Sequence, residues 1–277
     1  MEYIEHPAPA DLRRHVQCLW ILRDDAPGDA IQVIYPDGRC ELLAEFGVPL
    51  RFHGANGEIR ADQVLAFAGQ QLGPIRLQAA GEVHCIGVRL AAASSSLIAG
   101  ARLPQLRDRA PDLHALDPVF AGEFLIAAQA CANADSAEPL WQLMRLRCAS
   151  FVPDALVERA VESMDARNGD LRIVDLAKGL GTSLRTLQAR FVAAVGLTPK
   201  EYARVRRLQA LLRTLDAERT AIADAAAHHG FSDQAHATHD MLRLTGTTPA
   251  RLVRALRGNP DGPDALHLAA AFVRGRA

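Results

Sequence analysis

The stretch IVDLAKGLGTSLRTLQARFVAAVGLTP (residues 173–199) returns in degenerate form as IADAAAHHGFSDQAHATHDMLRLTGTTP (residues 222–249), and this repeat decides the fold. Ile173, Asp175 and Ala177 align with Ile222, Asp224 and Ala226, and Gly181 and Ser183 with Gly230 and Ser232, all at an offset of 49. After one inserted residue, Phe191 aligns with Met241 and Gly196-Leu-Thr-Pro199 with Gly246-Thr-Thr-Pro249. Two copies of one supersecondary unit fit this pattern, because a solenoid needs three or more. Each copy is punctuated as helix, turn, helix. A helix carrying Leu176 and Ala177 stops at Gly181, and Ser183 caps the next. Leu184, Leu187 and Phe191 then share one stripe, which leaves Arg185, Gln188 and Arg190 to face outward. Between the copies, Thr198-Pro-Lys-Glu201 combines a capping box with proline at the first helical position. The helix it opens carries Val205, Leu208, Leu211, Leu212 and Leu215, a stripe able to hold the two units at a fixed separation.

Working outward, Pro153 marks a boundary, and Asp154 is expected to cap a helix reaching about Arg167, ended by Asn168-Gly169. Upstream lie expected helices near 117–132 and 137–150 and a short one over Ser94–Gly100. The first ~90 residues read differently. Val16–Leu22, Ile31–Tyr35, Cys40–Ala44, Val64–Ala68, Ile75–Gln78 and Val83–Leu90 are short apolar runs separated by Gly, Pro, Asp and Asn. Such spacing predicts an antiparallel barrel or sandwich, and we expect a cupin-like barrel. The expected fold is α+β multidomain: a β-barrel over 1–110, a helical connector over 111–152 that supports dimerisation, an all-α domain with two helix-turn-helix units over 153–257, and a tail over 258–277.

A chain of 277 residues suits two domains. With 49% hydrophobic and 23% charged residues it is globular rather than disordered. Its longest apolar runs, such as Leu266–Val273, fall far short of a membrane span. Met1–His6 is acidic, so no signal peptide is expected. Five cysteines without regular spacing make no disulfide framework and suit a reducing compartment, hence a cytoplasmic protein. The net charge of −1 hides an asymmetry: residues 1–152 balance to −5 and residues 153–257 to +4. The basic half suits a polyanionic partner.

Asp175-Leu-Ala177, Ser183-Leu-Arg-Thr-Leu-Gln188, Phe191 and Gly196-Leu-Thr-Pro199 resemble the first helix-turn-helix of AraC/XylS-type transcription regulators. Gly230-Phe-Ser-Asp-Gln-Ala-His236, Arg243-Leu-Thr-Gly246 and Thr248-Pro249 resemble the second. Leu19-Trp20, Tyr35-Pro-Asp-Gly38, Gly69 and Gly87-Val-Arg89 resemble the β-rich sensor domain of a subgroup of these regulators. The resemblance implies a sequence-specific regulator of double-stranded DNA, with two recognition helices entering adjacent major-groove segments ~10 bp apart. By position in the motif, the base readers are Arg185, Gln188 and Ala189 in the first unit and Gln234, Ala235 and His239 in the second. Phosphate contacts fall to Ser183, Arg190, Ser232 and Arg243. The resemblance further implies a small-molecule effector in the barrel, with Trp20, Tyr35, Phe67 and Arg89 as pocket candidates, a homodimer, and RNA polymerase as a partner it admits. His239 and Leu242 depart from the pattern where basic residues are common, as do Ala237 and Met241 where larger core residues are usual.

Other chemistry finds little support. A metal-dependent cupin enzyme needs a clustered His-x-His, whereas His53 and His84 are isolated; no metal and no cofactor are expected, and the chain is not expected to be an enzyme. Cys18, Cys40 and Cys85 all fall on expected strands, as a sensor cluster or as small buried hydrophobes. His228-His229 makes no metal pair, since adjacent helical residues diverge. The run Arg204-Val-Arg206-Arg207 could touch phosphate, form a solvated face, or bury one arginine in a pair. The alternatives to effector control are a constitutive DNA-binding regulator with a structural barrel and, less favoured, a cupin-like enzyme fused to a DNA-binding domain.

Overall fold

Strict alternation of side chains along a strand gives each sheet two faces, and here both faces of one sheet are apolar. The computed structural model describes residues 1–54, 57–61, 64–134, 136–217, 234–248 and 251–252, with the backbone alone at 60, 215–217 and 234–237. Its strands are β1 (Glu2–Pro7), β2 (Val16–Asp24), β3 (Ile31–Ile34), β4 (Glu41–Glu45), β5 (Arg51–His53), β6 (Ile59–Ala61), β7 (Leu65–Ala68), β8 (Ile75–Gln78) and β9 (Val83–Leu90). They form a five-stranded sheet in the order β1-β2-β9-β4-β7 and a four-stranded sheet in the order β3-β8-β5-β6. Every pairing is antiparallel. No pairing among the described residues joins the sheets, so the expected closed barrel is corrected to two packed sheets. The strands of the smaller sheet have three or four residues each, too short to carry the ladder across a seam.

In the larger sheet Leu19 and Ile21 of β2, Leu42 and Ala44 of β4, and Ile86, Val88 and Leu90 of β9 face a helical layer. Cys18, Trp20, Leu22, Leu43 and Cys85 point the other way, to Ile34, Leu50, Phe52, Ile75 and Leu77 around the smaller sheet. Cys40 packs on the helical side, and Cys18 and Cys85 pair with Arg89 and Leu22 at opposite ends of the β2–β9 ladder. The three cysteines are separate buried hydrophobes rather than a cluster.

The helices are α1 (Ser96–Ala99), α2 (Leu113–Leu116), α3 (Pro118–Ala134), α4 (Glu138–Cys148), α5 (Ala155–Ala166), α6 (Ile173–Gly179), α7 (Leu184–Val195), α8 (Pro199–Ala217) and α9 (Gln234–Thr245). The short helix expected at Ser94–Gly100 is instead α1 between two 3-10 turns, Ala92–Ser94 and Gly100–Leu106. α3 and α4 bury Phe120, Phe124, Trp141 and Met144 against the larger sheet. None of the described helices is long and apolar enough to cross a membrane.

The C-terminal helices start where their caps dictate. The Asp154 carboxylate accepts from the N–H groups of Leu156 and Val157 and opens α5. Ser183 Oγ accepts from Thr186 N at 3.0 Å and opens α7. Ahead of α8 the capping box is complete: Thr198 N donates to Glu201 Oε2 at 2.9 Å, and Glu201 N donates to Thr198 Oγ1 at 3.2 Å. Leu187, Phe191, Ala194 and Val195 of α7 are buried with Tyr202 and Ala203 of α8, and Ala92 and Ala93, just after β9, join that core. Leu184, expected on the buried stripe of α7, is 37% exposed at the first position of the helix.

Candidate nucleic-acid interface and effector cavity

On the outward face of α7, Arg185, Gln188 and Ala189 are exposed one helical turn apart, above the buried Leu187 and Phe191. That places two long polar side chains of the first unit where a groove-entering helix presents its readers. Ser183 caps the helix, so the free N–H groups of its first turn lie beside it. Arg190 is committed elsewhere: its Nε and Nη2 donate to the two Asp154 carboxylate oxygens, each at 2.6 Å. In α9, His239 and Arg243 are exposed. Met241 and Leu244 are buried, and Leu242 is 48% exposed. Gln234 and Ala235 lie on the α9 backbone, but their side chains, together with Ser232, His228 and His229, fall outside the described residues.

A second feature lies between the two sheets. A cavity of ≈ 170 Å³ is walled by Trp20, Leu43 and Cys85 from the larger sheet and Ile34, Phe52 and Leu77 from the smaller one. At one end stands a charged cluster centred on Arg89, whose side chain is 2% exposed. Arg89 Nε donates to Glu41 Oε1 at 2.7 Å and Nη1 to Glu5 Oε1 at 2.9 Å. Asp37 Oδ2 stands 3.7 Å from Arg89 Nε. Trp20 Nε1 also donates to Glu41 Oε1, at 3.3 Å. Burial pushes the Glu41 carboxyl above its ordinary range; Arg89 offsets this in part, and the Asp37 charge adds to it. Burial works against the Arg89 charge too, but Glu41 and Asp37 outweigh it and keep the guanidinium protonated. Gly87 sits opposite Trp20 in the ladder, and an added Cβ there would stand 2.2 Å from Trp20 Cε2.

The same end of the cavity is closed by α8, which contributes Arg206, Gln209 and Arg213 to the lining. The loop 36–39 holds that helix. Gln209 Nε2 donates to the Pro36 carbonyl at 2.7 Å, and Arg206 Nη1 donates to the Asp37 carbonyl at 3.1 Å. Gly38, at φ +81°, lies against the Tyr202 ring, where a Cβ would stand 2.9 Å from Cε2. Arg39 donates to Asp165 Oδ2 at 2.8 Å and to the Tyr202 hydroxyl. Arg206 pairs with Asp165 Oδ1 at 2.8 Å, and Tyr202 donates to the same oxygen. Burial raises the Asp165 carboxyl, but the Arg39 and Arg206 charges outweigh it and hold it below the usual carboxylate range. Burial pushes the Tyr202 hydroxyl up to about 12.

Comparison with known proteins settles the class. Residues 176–255 match the family "Helix-turn-helix domain", and residues 4–112 match "Domain of unknown function (DUF6597)". The chain is 35% identical over 104 residues to the probable transcription factor PqrA of Proteus vulgaris, covering 38% of this chain and 82% of that protein. This chain belongs to the AraC-type helix-turn-helix regulators. Among solved structures, ToxT from Vibrio cholerae matches with a TM-score of 0.45 at 11% identity, over 86% of this chain and 99% of that one. The AraC-like transcriptional activator CuxR matches with a TM-score of 0.29 at 16% identity, over 74% and 84%.

The protein is therefore a DNA-binding transcriptional regulator. Of the four pocket candidates in this AraC-type regulator, Trp20, Tyr35 and Arg89 line the cavity. Phe67 does not: it is fully buried on the helical face of the larger sheet, because β7 pairs Phe67 with Leu42, whose side chain points to the helices. The residues that sequence reasoning missed are Asp37, Glu41 and Gln209. Tyr35-Pro-Asp-Gly38 carried a signal for the first, but nothing in the sequence joined it to a helix 170 residues away. Of the three readings of the Arg204–Arg207 run, burial in a pair describes Arg206.

Proposed function

We propose that this AraC-type regulator reads its operator with two recognition helices, and that a small molecule in the inter-sheet cavity controls the reading. Arg185 and Gln188 of α7 suit guanine and adenine edges, Ala189 offers apolar contact, and Gln234, Ala235 and His239 take those places in α9. Ser183, Ser232 and Arg243 serve phosphates, and Arg190 joins them once it leaves Asp154. In this reading the sensor spans 1–110, the connector 111–152 and the two-unit module 153–257. The connector supports a homodimer in the cytoplasm: Val119 and Ile126 of α3 and Leu146 of α4 are each more than 70% exposed.

One observation carries the effector reading. The cavity takes walls from both sheets and its end from α8, the helix that leads from the first unit toward the second. A molecule that fits the cavity better in one pose of α8 than another shifts the population of poses, and with it the half-sites a dimer spans. No chemical step is assigned to the cavity. Selection of bound DNA from random fragments by the full chain supplies the operator. Binding to that operator is then measured by fluorescence anisotropy with and without compounds that raise the melting temperature. An effector-controlled regulator changes its DNA affinity with such a compound. A constitutive one keeps the same affinity throughout.

A further inference from the structure

In each copy of the repeat an ion pair ties the reading helix to the helix that precedes the unit. In the first copy, Arg190, the residue before Phe191 of α7, pairs with Asp154 at the start of α5, Nε to Oδ2 at 2.6 Å. In the second, Asp240, the residue before Met241 of α9, has its Oδ2 3.6 Å from Nε of Arg204 in α8. Arg190 and Asp240 stand 50 positions apart, the offset that aligns Phe191 with Met241, and Asp154 and Arg204 stand 50 apart as well. The link is therefore repeated with its charges exchanged. At the wrong helix each reading helix would meet its own sign, Arg190 at Arg204 or Asp240 at Asp154.

The second pair occupies a place where an apolar residue would fit. The Asp240 side chain is 4% exposed, and Arg204 is half-buried. Leu244, one turn on along the same side of α9, is buried too, so a leucine at 240 would continue the stripe. A buried ion pair adds little stability over apolar side chains of similar size, because desolvation offsets the attraction. What it adds is direction. Apolar packing lets a helix turn or slide at small cost, whereas Asp240 meets its counter-charge only over a narrow range of rotations of α9. His239, the neighbouring residue, lies on the outward face, so the rotation that seats Asp240 beside Arg204 also sets where His239 points.

We infer that Arg204 and Asp240 are positioning residues for DNA reading: they touch no base and act by holding α9 at the rotation that presents its readers. The inference rests on the reading above in which α9 enters the groove.

The test measures binding of the full chain to its selected operator and to every single-base variant of that operator. Asp240→Leu removes the charge and keeps the burial. It should leave the melting temperature unchanged or higher, lower operator affinity about tenfold, and flatten base preference over the segment read by α9 alone. Loss of a negative charge would by itself strengthen binding to a polyanion, so a fall in affinity reports position. Arg204→Gln should give the same flattening with the salt dependence unchanged. Asp240→Glu, which keeps the charge, should hold affinity to within about threefold of the unsubstituted chain. Should Asp240→Leu fail to fold by circular dichroism, Arg204→Gln carries the same comparison. A folded Asp240→Leu protein with unchanged base preference overturns the inference and leaves α9 as a reader. A uniform loss over all sequences for Arg204→Gln, with the salt slope reduced by about one, makes Arg204 a phosphate contact and overturns it as well. If His239→Ala and Gln234→Ala leave every base preference unchanged, α9 does not read DNA, and the two-helix reading fails together with the inference.

Discussion

Asp165→Asn isolates what the contact between the loop 36–39 and the helices α5 and α8 contributes. Asp165 sits between Arg39 and Arg206, whose side chains are 8% and 6% exposed, while its own is 27% exposed. The variant keeps the shape and one acceptor oxygen but removes the charge, which leaves two guanidiniums facing each other in a largely dry site. Breaking a buried pair by removing one partner costs roughly 3–5 kcal/mol. Partial exposure of Asp165 and the retained acceptor bring the expectation to about 2–3 kcal/mol. For a chain of this size that lowers Tm by roughly 4–12 °C. The sign of the pH dependence is fixed by the direction of the Asp165 shift. Its carboxyl titrates below the unfolded value in the fold, so its stabilisation is present above about pH 4 and is lost as pH falls through the lowered value. Calorimetric scans of both proteins from neutral to acid pH should show a full Tm difference near pH 7 that closes below about pH 4. A difference under ~2 °C at neutral pH, or one that stays constant into acid, refutes the account.

On the selected operator, Arg185→Ala should cost roughly 1–3 kcal/mol and relax preference at one base pair. His239→Ala should cost about 1 kcal/mol or less, since a neutral contact is lost; if it costs more than Arg185→Ala, α9 leads the readout and the assignment fails. Gly87→Ala puts a methyl 2.2 Å from Trp20 Cε2, so the ring must shift from its place. We expect a loss of about 1–3 kcal/mol and a shifted Trp20 emission, and unchanged emission would mean that the ring does not pack there. The double substitution Val119→Glu with Ile126→Glu puts charge on the exposed stripe of α3. Analytical ultracentrifugation should find a dimer for the unsubstituted chain and a monomer for the variant, and two identical profiles would remove α3 from the interface.

The helical half was legible because its signals are local. The caps at Asp154 and Ser183, the capping box at Thr198–Glu201 and the ends at Asn168-Gly169 each need only neighbours within a few residues, and all stand where the pattern puts them. The sheet half was legible where strands are apolar and dim where they are not. β1, at the sheet edge, mixes Glu2, Glu5 and His6 with only two apolar residues in a row, Tyr3 and Ile4, and escaped the apolar-run reading. β5 and β6 have three residues each, below what a run can signal. The cavity was half legible. Trp20, Tyr35 and Arg89, offered as pocket candidates, do line it, but Phe67 shows the limit: which face a residue takes depends on strand register, and register is a long-range property.

Under the proposed effector control, the loop 36–39 is the connection between the cavity and α8. Asp37 has two ends with two uses: its carboxylate lines the cavity near Arg89, and its carbonyl accepts from Arg206 of α8. Pro36 and Arg39 bracket it, holding Gln209 through a carbonyl and Asp165 through the guanidinium. Gly38 at φ +81° lets the Tyr202 ring approach where any side chain would collide, so the loop cannot slide along α8 without losing that contact. A displacement of Asp37 at the cavity therefore acts on the residue whose backbone grips α8. Tyr202 of that helix packs edge-on against Phe191 of α7 at 5.5 Å between ring centres, beneath the outward Arg185 and Gln188. Each step in this chain is a packed or hydrogen-bonded contact. The shift it transmits is bounded by how much better the ligand binds one loop position than the other; a hundredfold preference corresponds to about 2.7 kcal/mol. That is comparable to the stabilisation assigned to Asp165, so a ligand of that selectivity is strong enough to compete with the grip of the loop on α8.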